Sequence, residues 1–97
     1  MPFELRLPPG VRTRIEEYLD RFDEVAEQLE ALEQIHGALE ALAANPRLGV
    51  TPRGAFGFPI YGFTIRVGGI GYRLRAAFHY SQDERAIVIT DLEQQLL

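Results

Sequence analysis

Ninety-seven residues suit one domain with a core of limited size. Apolar residues make up 46% and charged residues 25%, an ordinary globular balance. Fourteen acids against ten arginines give a formal charge of −4, with no cysteine, which excludes disulfides, thiolate catalysis and cysteine-ligated zinc.

The charge is uneven. Residues 1–44 carry a balance of −6 and residues 45–97 a balance of +2. The first part should repel nucleic acid and the second should not. All the cations are arginine, a planar and permanently charged fork suited to phosphate or carboxylate. No apolar run reaches the roughly 18 residues of a membrane span. The opening MPFELRLPPG lacks the charged and apolar regions of a signal peptide, so the expected location is the cytoplasm, with no membrane partner.

Phe3 to Leu7 alternates apolar and charged residues, which predicts a short strand ended by Pro8, Pro9 and Gly10. From Val11 to Ala44 the period changes to 3.6. Ile15, Tyr18, Leu19, Phe22, Val25, Leu29, Leu32, Ile35, Leu39 and Leu42 form an apolar stripe between acids. One helix of that span would be about 50 Å long. A bend or hairpin at Asp20–Glu24 is expected, with Asp23 as a cap, and one long helix dimerising as a coiled coil is the alternative. Glu17 and Arg21 are spaced for a surface ion pair. Asn45-Pro46 stops the helix, and a loop runs to Pro59.

Three strands follow: Ile60–Val67, Tyr72–Tyr80 and Arg85–Leu92, with turns at Gly68–Gly71 and Ser81–Glu84. The order predicts an α+β fold, with an N-terminal strand, helices on one face and an antiparallel meander of three strands. The first strand joins the sheet at its edge or beside the last strand.

Period two assigns the faces. Tyr61, Phe63, Ile65 and Val67 share one face with Tyr72, Leu74, Ala76, Phe78 and Tyr80, and must meet the helices. The open face then presents Thr64, Arg66, Arg73, Arg75 and His79. Two readings of that patch stand. It is a surface that grips phosphate, with His79 able to move a proton near neutral pH. Or it is a water-facing sheet surface with charged side chains.

The runs ALEALAANPRLG, RGAFGFPIYGFTIRVGGIGYRLRAAFHY and ERAIVITDL resemble the RelE/ParE superfamily of bacterial toxins. The likeness covers residues 45 to 92, with Ile65-Arg66-Val67 and Gly71-Tyr72-Arg73-Leu74 as its best points. The resemblance implies a toxin of a type II toxin–antitoxin pair. Its implied partners are a cognate antitoxin and either mRNA in the ribosome or DNA gyrase. RelE-like members cut mRNA, whereas ParE-like members poison gyrase without being nucleases. In the RNA-cutting branch the resemblance places catalytic basic residues at Arg66 and Arg73, with His79 as a third candidate. Thr64 and Arg75, on the same open face, are candidate substrate contacts, and Thr64 stands where that branch often has lysine. That branch also carries Arg or His-Tyr at or past the last strand. Here residues 90–97 carry Asp91 and Glu93, which repel RNA, and His79-Tyr80 ends the preceding strand. A non-enzymatic binding protein of the same fold is the second reading.

No cofactor or metal is expected. The helix acids run along one solvated face, and His36 reads as a boundary residue rather than a ligand. Gly68–Gly71 is not a phosphate loop, since no helix and no Lys-Ser/Thr follow it. Leu96, Leu97 and any exposed helix stripe are candidate partner contacts, and a homodimer is a further candidate.

Overall fold

A computed structural model describes residues 3–49 and 59–94. The chain runs β1 (Glu4–Arg6), α1 (Pro9–Leu19), α2 (Val25–Ala44), a single 3-10 turn (Pro46–Leu48), β2 (Ile60–Val67), β3 (Ile70–Ser81) and β4 (Ala86–Gln94). This is the expected α+β layout. The strands form one sheet in the order β1-β4-β3-β2. β2, β3 and β4 make the antiparallel meander, and β1 lies parallel to β4 with Leu5 opposite Ile87. β1 is thus both an edge strand and the neighbour of the last strand.

The helical segment divides in two, which removes the single long helix and its coiled coil. α1 starts at Pro9, two residues before the expected Val11. A proline is tolerated there because the first-turn N–H groups have no intrahelical acceptor. The break at 20–24 contains no glycine or proline, and packing makes it. Phe22 is 6% exposed and sits edge-on between Tyr18 and Tyr72, with ring centroids 6.0 and 5.5 Å away. The Gln28 side chain closes the corner by donating to the Phe22 carbonyl at 2.9 Å. Asp23 is not the cap: Glu24 holds that position without a side-chain cap bond. Nor do Glu17 and Arg21 pair. Arg21 lies 4.4 Å over the Tyr18 ring, and its guanidinium bonds the Gln94 side chain.

Asn45 ends α2, and its side chain accepts from the Arg47 N–H at 3.3 Å to start the 3-10 turn. The rest of the expected loop (50–58) and Leu96 and Leu97 lie outside the described residues.

The core lies between α2 and one face of the sheet. Ile35, Leu39 and Leu42 meet Ile65, Leu74, Phe78, Ile87 and Ile89, all at most 1% exposed. The apolar stripe read from the sequence is wider than this core. Val25 and Leu29 are 69% and 55% exposed. At about 100° per residue, Val25, Leu29 and Leu32 form a row roughly a quarter turn from Ile35, Leu39 and Leu42. Only the second row faces the sheet.

The β2–β3 hairpin is tighter than the four-residue turn expected. Gly68 and Gly69 alone make it, with φ of 59° and 81°, and Val67 pairs with Ile70. Two successive left-handed positions match the twist of the strands and call for glycine. β4 carries a bulge. Ala77 faces Asp91 while Phe78 faces Ile89, which leaves Thr90 without a partner.

The sheet edges are managed by side chains. Beyond Val88 the outer side of β4 is lined by α1. Arg14 Nε lies 3.5 Å from Asp91 Oδ1, and Arg21 bonds Gln94. On the β2 edge, the Gln34 amide donates to the Arg66 carbonyl at 2.5 Å and accepts from the Arg66 N–H at 2.7 Å.

The Tyr18 hydroxyl is buried without a hydrogen-bond partner. Burial raises its pKa, and the Arg21 guanidinium offsets part of that rise. The folded chain therefore holds the phenolic proton more tightly than the unfolded chain. Its contribution is intact below about pH 10 and is lost as pH rises above that value. Tyr18→Phe should change stability at pH 7 by no more than about 1 kcal/mol, because no hydrogen bond is lost. It should flatten the fall of the urea midpoint above about pH 10. An alkaline slope identical to wild type would remove Tyr18 as its source.

Candidate anion-binding face

Alternation along β2 and β3 decides which side chains leave the core. Ile65, Leu74, Ala76 and Phe78 turn inward, while Thr64, Arg66, Arg73, Arg75 and His79 are exposed. The register sets Thr64 opposite Arg73, Gly62 opposite Arg75 and Arg66 opposite Gly71. Arg66 and Arg73 are therefore diagonal neighbours, about 7–8 Å apart at the Cα–Cβ level. Gly62 and Gly71 supply no side chain to screen them. The sheet brings Thr64, Arg66, Arg73 and Arg75 together, as the sequence pattern predicts.

It does not leave all of them open. Arg75 Nε is 2.5 Å from Glu93 Oε1, across the β3–β4 ladder, with both side chains about half exposed. Arg75 is thus a paired cation rather than the open substrate contact read from the sequence. Arg66 and Arg73 have no carboxylate partner among the described residues. Two unpaired guanidinia side by side make a local positive field on an acidic protein, suited to the oxygens of a phosphate.

His79 is not part of this group. It pairs with Val88, on the far side of the bulge, and six residues of strand separate it from Arg73. That is about 20 Å, far beyond the reach of proton transfer to a group held by Arg66 and Arg73. Tyr80 is on the helix side of the sheet, but it is 39% exposed rather than buried. It lies where α2 has already ended, and it packs edge-on against Phe3 at 5.0 Å. No group of three metal-ligating side chains occurs among the described residues.

The sequence reading found Asp91 and Glu93 as charges that oppose RNA, but missed that each has a cation: Arg14 for Asp91 and Arg75 for Glu93. That pairing depends on the bulge at Thr90, for which the sequence carries no signal.

No protein-family model and no curated protein sequence matches the chain. Solved structures do. One is a chain of the toxin–antitoxin complex RelBE2 from Mycobacterium tuberculosis, with a TM-score of 0.59 and 17% identity, covering 98% of this chain and 100% of that chain. The fold is RelE-like. In this chain the helices cover one face of the meander, and the arginine pair lies on the other.

Breaking the Arg75–Glu93 pair should release a third cation onto this face. Glu93→Gln should cost less than about 1 kcal/mol in urea unfolding, as for other exposed pairs. Its affinity for single-stranded RNA should rise, and the slope of log K against log salt should steepen by about 0.7, one added phosphate contact. Fluorescence anisotropy across a salt series measures both. An unchanged slope would mean that Arg75 stays unavailable without its partner.

Proposed function

We propose that this chain is the toxin component of a toxin–antitoxin pair, and that it cuts mRNA on the ribosome through the open face of its sheet. The observation that carries the reading is the unpaired Arg66–Arg73 diagonal, with Thr64 between the two, on a RelE-like fold. The arginines would hold the scissile phosphate and stabilise the charge that builds on it as the ribose 2′-hydroxyl attacks. Thr64 would position the backbone beside them. A cognate antitoxin is the implied protein partner, in keeping with the complex in which the similar fold was solved. No described helix is long and apolar enough to cross a membrane.

A second reading has its own observation. No histidine lies near the arginine pair, and the adjoining part of β4 presents Asp91 and Glu93. A face that binds an anion but lacks a nearby proton-transfer group suits a non-enzymatic binder, whose target would be gyrase or another protein.

Mapping mRNA 5′ ends in a translating-ribosome assay separates the two. Wild type should generate new ends, and Arg73→Ala should reduce them by about 10²–10³-fold, the usual loss when one transition-state donor is removed. Unchanged circular dichroism and urea midpoint must accompany that loss, because an arginine stem also packs. Intact mRNA at high protein concentration would overturn the nuclease reading, and gyrase inhibition in a parallel supercoiling assay would replace it.

A further inference from the structure

The arginine pair surrounds a hydroxyl. Thr64 stands opposite Arg73 in the β2–β3 ladder, with Cβ atoms about 5 Å apart, and Arg66 follows two residues on along the same face. Gly62 and Gly71, two further neighbours on this face, carry no side chain to crowd it. Even a methyl in place of the Gly71 hydrogen would lie 3.9 Å from Thr64 Cγ2. Thr64 itself is exposed.

The other described serine and threonine hydroxyls are placed differently. Thr13 donates to the Pro9 carbonyl at 3.1 Å, Ser81 accepts from the Glu84 N–H at 3.3 Å, and Thr90 adjoins Asp91. The Thr64 hydroxyl has no hydrogen-bond partner among the described residues. Its charged neighbours are two guanidinia that have no carboxylate partner there. A phosphate ester adds about −1.5 to −2 charges at pH 7 and three acceptor oxygens. On Thr64 it would lie within reach of both arginines, each able to give two parallel hydrogen bonds. It would also cancel the +2 balance of residues 45–97. On Thr90 the same group would be repelled by Asp91. β2 is an edge strand and already extended, the form in which a modifying enzyme can take a segment along its cleft.

We propose that Thr64 is a phosphorylation site, and that its phosphate closes the Arg66–Arg73 pair to RNA. Thr64 Oγ1 attacks the γ-phosphorus of a nucleoside triphosphate held by a protein kinase. The Oγ1–P bond forms and the bond to the β-phosphate oxygen breaks. The hydroxyl proton passes to the base of the kinase, and the nucleoside diphosphate leaves. The closing of the pair to RNA rests on the proposed use of this face; the modification of Thr64 does not.

The test compares the full chain with and without phosphothreonine genetically encoded at position 64. In phosphorus NMR the second ionisation of the phosphate, near pH 6 when unperturbed, should fall by about one unit, because the arginines favour the dianion. In the Arg66→Ala, Arg73→Ala double variant it should stay near pH 6. Affinity for single-stranded RNA should fall at least about tenfold. The slope of log K against log salt should flatten by about 1.4, two phosphate contacts at about 0.7 each. Mass spectrometry of the chain recovered from the cells that make it should find the phosphate on Thr64, in growth or in starvation, and none in Thr64→Val. An unshifted ionisation, RNA bound equally by both forms, or a Thr64 unmodified under both conditions would overturn the proposal. Unmodified chain that binds no RNA would defeat the nuclease reading instead, and the ionisation and the mass would then decide the modification alone.

Discussion

The structure depends on burying one face of the three-strand meander under α2. Leu74, Ala76 and Phe78 along β3 are at most 1% exposed, and they meet Ile35, Leu39 and Leu42. Once those residues point inward, the pleat sends Arg73 and Arg75 outward and β2 sends out Thr64 and Arg66. The arginine patch is not an independent addition to the fold. It is what the hydrophobic core leaves on the other side of the same strands. A slip of one residue between β2 and β3 would bury arginine and expose phenylalanine, so the core also guards the register of the patch.

Much of this was legible because it follows from local periods. The change from period two to period 3.6 and back gave the order of elements, and alternation gave the face of each meander residue. The parts that were not legible are set by contacts distant in sequence. The β4 bulge is the clearest case. Without Thr90 as an unpaired residue, the pairing of His79 with Val88 would carry on to set Arg75 opposite Leu92. The extra residue turns Leu92 inward and brings Glu93 beside Arg75. A charge visible in the sequence thus acquires its role from a single unpaired position. Likewise the corner between the helices has no breaker residue; Phe22 makes it by packing among aromatic rings.

The two layers divide the electrostatics. Acids gather on the helices, while Arg66 and Arg73 stand on the open sheet face without a carboxylate partner among the described residues, so a net charge of −4 hides two surfaces of opposite preference. Net charge alone points away from nucleic acid; the placement of Arg66 and Arg73 restores a local field that an extended anion can meet.

An unpaired strand edge is a template on which other chains polymerise. The Gln34 amide occupies the place of one residue of a neighbouring strand, satisfying both backbone groups of Arg66. Among the described residues, this interrupts the outer edge of β2 at Arg66 and leaves at most Ile60 to Thr64 for an incoming chain, with Gly62, a poor strand former, in the middle. A single glutamine in this way shortens the length over which the sheet can recruit its own kind, and protects a small, crowded protein from fibrous self-association.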